Sequence, residues 1–126
     1  MKIKDFIQNN SLHDSFIINA DYIPDNKILK LNIVQLFSEL STNNVLNDKY
    51  NPDDQVEVEI IFSNIKYQCP GDISFIGYEI LSLESGKINN YDIILIQMIT
   101  ENDYREIYLR GENINIICNI IKKYKF

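Results

Sequence analysis

The single histidine of this chain, His13, stands in the segment Ser11-Leu12-His13-Asp14-Ser15, flanked by a carboxylate and two hydroxyls. An imidazole, a carboxylate and a serine are the materials of nucleophilic catalysis, where the ring takes the hydroxyl proton and the carboxylate orients the ring. The spacing argues against that use. Phe16–Ile23 reads as a strand, and neighbouring residues of a strand point to opposite faces, so contiguity in sequence does not assemble a triad. A junction is the simpler reading: Asp14 and the serines bond backbone groups where one element gives way to the next, and His13 is a satisfied, partly buried ring. His13 and Asp14 are the candidate pocket residues.

Carboxylates gather further along. Asp48, Asp53, Asp54, Glu57 and Glu59 crowd one stretch, with only Lys49 among them. No Asp-x-Asp-x-Asp-Gly pattern is present, so the loop spacing calcium requires is missing. A hydrolytic carboxylate pair converges in space rather than in sequence, and none is assigned. The stretch reads either as a solvated face or as an acidic surface for a basic partner, with Asp53, Asp54, Glu57 and Glu59 as its contact residues. Tyr104 and Tyr108 share strand parity with Glu106 and Arg110, an aromatic and charged stripe of the kind enriched at protein interfaces. Cys69 and Cys118 lie far apart and in no Cys-x-x-Cys pair, and one histidine cannot complete a zinc set with them. The four glycines are isolated, so no phosphate-binding loop forms. No catalytic residue, metal or cofactor is implied.

The elements that must position these residues are mostly strands. Ile3, Phe6 and Ile7 fall at helical spacing and predict a short helix over residues 3–10, ended by Asn9, Asn10 and Ser11. Phe16, Ile18, Ala20 and Tyr22 alternate, as do Leu29, Leu31 and Ile33; with Pro24-Asp25-Asn26 between them they predict a β-hairpin. Residues 38–54 are polar and aperiodic, with a helical turn expected near Val45 and Leu46. Gln55–Tyr67 is the cleanest strand, its Val56, Val58, Ile60 and Phe62 facing inward and Glu57 and Glu59 outward. Asp72–Glu84 reads as a strand bulged at Gly77. Ile93–Ile99 is apolar on both parities, which predicts a strand covered on both sides. Tyr104–Arg110 alternates, Gly111-Glu112-Asn113 reads as a turn, and Ile114–Ile121 fits either period, with its β-branched residues favouring a strand.

About seven strands at short intervals predict a mainly β protein, an antiparallel meander forming a sandwich or an incomplete barrel. The intervals are too short for crossover helices. The predicted core comprises Phe16, Ile18, Leu29, Leu31, Ile33, Val58, Ile60, Phe62, Ile94, Ile96, Ile107 and Leu109.

At 126 residues with 45% hydrophobic content, the chain suits one domain spanning 1–126 that buries a sufficient core unaided. Twelve basic against 18 acidic residues give a net charge of -6 and a pI near 4.7. That balance argues against nucleic acid, whose binding depends on cations neutralising phosphates, and against anionic membranes. No apolar run reaches the length of a spanning helix, and the N-terminus lacks the apolar stretch of a signal peptide. With unpaired cysteines, a cytoplasmic location is expected. The 24 isoleucines and 16 asparagines against a lone Ala20 suggest an AT-rich coding genome.

The Leu12-His13-Asp14-Ser15 segment, followed by a strand, a Pro-Asp-Asn turn and a second strand, resembles small bacterial domains that open with Leu-His-Asp-Ser/Ala before a β-hairpin. Some of these are regarded as immunity proteins of toxin systems. The resemblance covers about the first 37 residues. It implies a single-domain, bacterial, non-enzymatic protein, and it assigns no role to individual residues. With the acidic surface, the expected function is a small protein-binding domain, such as an immunity protein neutralising a basic toxin domain. The alternatives are a β-barrel binding a small molecule and a hydrolase combining scattered carboxylates with His13.

Overall fold

The computed structural model describes residues 2–40, 49–69 and 75–125. Expectations for Val45, Leu46, Asp48 and Asp72 fall outside these. One helix, α1 (Ile3–Asn9), precedes six strands: β1 (Phe16–Ile23), β2 (Ile28–Leu36), β3 (Gln55–Cys69), β4 (Glu79–Ile88), β5 (Tyr91–Ile99) and β6 (Tyr104–Lys123). All pairings are antiparallel, and the sheet closes on itself in the order β1-β2-β3-β6-β5-β4. The closing seam is narrow, a single register pair between Phe16 and Glu79, so the strands form a ring without the continuous ladder of a regular barrel. Among the described residues no helix is long and apolar enough to cross a membrane.

Helix α1 forms because Ile3 and Phe6 share a face and bury it. It stops where Asn9 and Asn10 turn their side-chain amides back onto the carbonyls of Asp5 and Phe6, at 2.8 and 3.1 Å. The β1–β2 hairpin turns through Pro24–Asn26 as predicted. The left-handed position falls on Lys27, at φ 58°, rather than on Asp25 or Asn26.

The ring interior is filled by aliphatic side chains. Leu29, Leu31, Ile33, Val58, Ile60, Phe62, Ile94, Ile96, Ile107 and Leu109 are all fully buried. Two predicted core residues are not: Phe16 and Ile18 are only half-buried, while Ile17 is inside. The cause is a register shift between Ile17 and Asn19. The extra residue moves the strand phase by one, so Ile17 faces in below the bulge and Ala20 and Tyr22 pack on the core above it.

Three other expectations are corrected by register. Gly111-Glu112-Asn113 makes no turn, and β6 runs unbroken through it; among the described residues there are six strands where about seven were expected. Phe75–Tyr78 precede β4 instead of belonging to it, with Gly77 at φ 88° in a turn. On β5, Ile94, Ile96 and Met98 are buried but Ile93, Leu95 and Ile99 are only partly covered, so one face of this strand lies on the outside of the ring. The C-terminal segment is a strand, as its branched side chains suggest.

At Gly111 the neighbouring chain comes unusually close: a Cβ there would lie 2.0 Å from the Asn64 carbonyl oxygen. Gly86, on β4, has open space around it. Gly111→Ala is therefore expected to destabilise by about 1–3 kcal/mol through forced overpacking. Gly86→Ala is expected to stay within about 0.5 kcal/mol of the parent. In the core, Val58→Ala and Ile60→Ala should each cost about 1–4 kcal/mol. Urea unfolding of the four variants measures these values; equal effects at the two glycines would contradict the close approach, and losses under about 0.5 kcal/mol at both Val58 and Ile60 would contradict the assigned inner face.

Candidate functional site

His13 and Asp14 sit at the seam. The Asp14 N–H bonds the Ile80 carbonyl at 3.0 Å and the Ile80 N–H bonds the Ser15 carbonyl at 2.7 Å. Asp14 takes a left-handed backbone, at φ 66°, which an aspartate tolerates better than most residues. Buried Ser15 donates its hydroxyl to the Leu12 carbonyl at 2.5 Å. His13 Nδ1 bonds the Leu81 carbonyl at 2.8 Å; a carbonyl only accepts, so Nδ1 carries the proton. Nε2 lies 3.3 Å from Asp14 Oδ1, and both side chains are more than 60% exposed. Gln35, which the sequence reading passed over, ties the segment down. Its buried amide donates to the carbonyls of Ser11 and His13, at 2.8 and 3.0 Å, and accepts from the Leu36 N–H. The geometry is that of a backbone junction on which His13 holds a strand edge, but the ring is exposed rather than partly buried as expected, because only its Nδ1 edge meets β4.

The four predicted acidic contact residues lie at the start of β3 and just before it, and lysines pair with two of them. Asp54 reaches Lys123 at 3.2 Å and accepts the Asn51 N–H at 2.9 Å. Glu59 pairs with Lys30 at 3.2 Å. Glu57 accepts a bond from Asn32 at 3.3 Å and faces Lys122 across the ladder; Asp53 is exposed. The Asn51 N–H, assisted by Lys123, holds the Asp54 carboxyl below the usual aspartate range against some desolvation.

Tyr104 and Tyr108 belong to a larger surface. The pairing of β3, β6, β5 and β4 sets Arg110 beside Tyr67 on one flank and Ile93 on the other, and Tyr108 beside Leu95. The Arg110 guanidinium lies over the rings of Tyr67 and Tyr91, at 5.1 and 5.6 Å, and Lys66 lies 5.5 Å from Tyr91. Tyr67 meets Tyr108 edge to face at 6.1 Å. Tyr104 donates to Glu106 at 2.8 Å, which raises its phenol above the usual tyrosine value. Ile88, Tyr104 and Tyr67 are 59%, 48% and 44% exposed, beside half-covered Ile93, Leu95 and Ile99. Parity along β6 pointed to Tyr104 and Tyr108. Tyr67, Tyr91 and Ile88 were missed because only the register between strands brings them alongside.

A further polar link joins the segment before β4 to the β5–β6 turn: Tyr78 donates to Asp103, which also accepts from Arg105 Nε at 2.9 Å. The Tyr78 hydroxyl, then Arg105, hold the Asp103 carboxyl below its ordinary value of 3.8. Among the described residues no group of three His, Cys, Asp or Glu comes together to hold a metal ion.

Two clefts lie between α1 and β4. One, of about 800 Å³, is lined by Lys2, Ile3 and Lys4 on the helix side, Ser85, Gly86 and Lys87 on β4, and Asp92 and Asn113–Asn115 behind. The other, of about 280 Å³, lies between Phe6, Ile7 and Asn10–His13 on one side and Leu81–Leu83 on the other. Comparison of the chain with protein-family models, with curated proteins and with solved structures gave no match.

Asp103 and Asp54 have carboxyls lowered on folding, so their contribution to stability is complete above about pH 3.8 and disappears as pH falls through the lower folded values. Asp103→Asn should lower the melting temperature at pH 7 and flatten its fall below pH 4; an unchanged acid slope would rule out this linkage. Burial pushes the Cys118 thiol up to about 11, whereas Cys69 is exposed. Iodoacetamide at neutral pH should label Cys69 at least tenfold faster, as peptide mass mapping would reveal; equal rates would mean that Cys118 is open to solvent.

Proposed function

We propose that this chain is a small bacterial protein-binding domain, of the immunity-protein kind, that meets its partner with the outer face of β3, β6, β5 and β4. The aromatic and aliphatic row on that face carries the reading. Tyr67, Tyr91, Tyr104, Tyr108 and Ile88 stand on a sheet whose inner face is filled, and Arg110 braces two of the rings. Tyrosine and arginine dominate binding hot spots, and rings already held in place lose little freedom on association. A net charge of -6 favours a basic partner and speeds its approach. Unpaired Cys69 and Cys118 fit a reducing compartment, in line with a cytoplasmic protein. The filled ring interior weighs against a ligand held within it, and the exposure of His13 and Asp14 weighs against a hydrolase built on them.

Affinity capture from the native cytoplasm tests the assignment. Wild-type protein should retain a basic protein, and Tyr67→Ser with Tyr104→Ser should weaken that complex at least tenfold while the melting temperature holds. Asp53→Asn, Glu57→Gln and Glu59→Gln together should slow association several-fold and flatten its salt dependence, with dissociation little changed. Asp54 is spared because its carboxylate bonds Asn51. A complex indifferent to the tyrosine pair would remove the outer face from the function. Association insensitive to salt and to the amides would remove the acidic residues.

A further inference from the structure

The backbone of β4 raises a separate question. Beyond Ile80, where the β1 seam ends, β4 pairs only with β5 among the described residues. Its other edge faces α1, and a backbone group on such an edge needs a partner. One has it, since His13 Nδ1 bonds the Leu81 carbonyl. On β6, the Ile114 N–H donates to the Asp92 carboxylate of β5 at 3.0 Å, and Lys2 bridges to Asn115. Leu83 borders the 280 Å³ cleft and Ser85–Lys87 the 800 Å³ cleft instead.

The charge of that cleft is inverted relative to the whole protein. Lys2, Lys4 and Lys87 line it against Asp92 alone, and Asp92 is already engaged by the Ile114 N–H and, at 3.9 Å, by Lys87. Its remaining lining includes apolar Ile3 and Ile114. We propose that the free edge of β4, from Leu83 to Ile88, binds an extended acidic peptide segment by strand addition in the cleft shared with α1. Main-chain hydrogen bonds to β4 supply affinity, as in other sheet-edge recognition. Six residues span about 20 Å at the rise of a strand. Alternate side chains of the segment rest on Ile3 and Ile114, and its carboxylates meet the three lysines. The His13 ring, bonded to Leu81, lines the smaller cleft beside Leu83. This site is distinct from the outer aromatic face and does not depend on it.

An acetylated, amidated hexapeptide of alternating glutamate and valine serves as the probe, titrated into the full chain and followed by amide NMR. Saturable binding is expected, with shifts and slowed exchange at Leu83, Ser85 and Lys87. The same peptide N-methylated at its valines should lose at least tenfold in affinity, as should an alternating lysine and valine peptide. Lys87→Glu, at a side chain 78% exposed, should weaken the acidic peptide at least fivefold without altering the fold, and Tyr104→Ser should leave it unchanged. Equal binding of the N-methylated peptide, or full displacement by citrate at equal charge, would reduce the cleft to a site for small anions and overturn strand addition. Shifts confined to Tyr104 and Tyr108, or no saturation by millimolar peptide, would overturn it as well.

Discussion

The approach of the Asn64 carbonyl to Gly111 is the contact on which the ring depends. It lies where β3 and β6 change register together, between Ser63 and Ile65 and again before Tyr67. Asn64 and Asn113 both adopt left-handed backbone there, at φ 67° and 53°, and the Asn64 side chain bonds the Asn113 carbonyl at 3.0 Å. After glycine, asparagine is among the residues that adopt the left-handed region most readily, and only a residue without Cβ admits a carbonyl so close. The resulting bend lets one strand of 20 residues pair with β5 through its first half and with β3 through nearly its whole length.

Closure at the opposite side is assembled from different parts. The β1–β4 seam holds one register pair, so the chain supplements it with the bonds of Asp14, Ser15 and Ile80 and with the amide of Gln35. Among the described residues a short seam leaves the rest of β4 without a second paired strand, and α1 lies along that side at the width of a cleft. Sheet edges invite pairing with other chains unless they are covered or charged. Here the cover is a helix of seven residues and the charge is lysine, a combination that blocks indiscriminate pairing while leaving a sized opening.

Strands were legible in the sequence because one face of each meets a filled interior and the other meets water, and Val56–Phe62 is the clearest case. What periodicity cannot carry is a change of phase. At Ile18 one inserted residue moved Phe16 out of the core and Ile17 into it, and nothing in Phe16-Ile17-Ile18 distinguishes the two registers, since all three are apolar. Gly111 read as a turn because glycine commonly marks one; its function here is set by a carbonyl distant in sequence. The outer face was legible only along β6, where Tyr104 and Tyr108 share parity. Its other members come from β3, β4 and β5, and their adjacency is a property of pairing. For the acidic stretch, composition correctly located the carboxylates and overlooked Lys30, Lys122 and Lys123, which arrive from neighbouring strands.

That redistribution of charge bears on how a protein of net charge -6 would choose partners. Carboxylates matched by lysines across a ladder contribute little to short-range attraction, because each pair is largely compensated and exposed pairs are weak. Their excess still sets the long-range field, which governs encounter rather than grip. Grip must then come from surface that is apolar or from the backbone groups of a sheet edge. The outer face offers the first, with rings fixed by Arg110; the β4 edge offers the second, beside lysines that reverse the local field. The two are turned in different directions by the same register, since side chains stand perpendicular to a sheet and backbone donors lie within its plane. A ring with a complete seam would keep the first surface and lose the second.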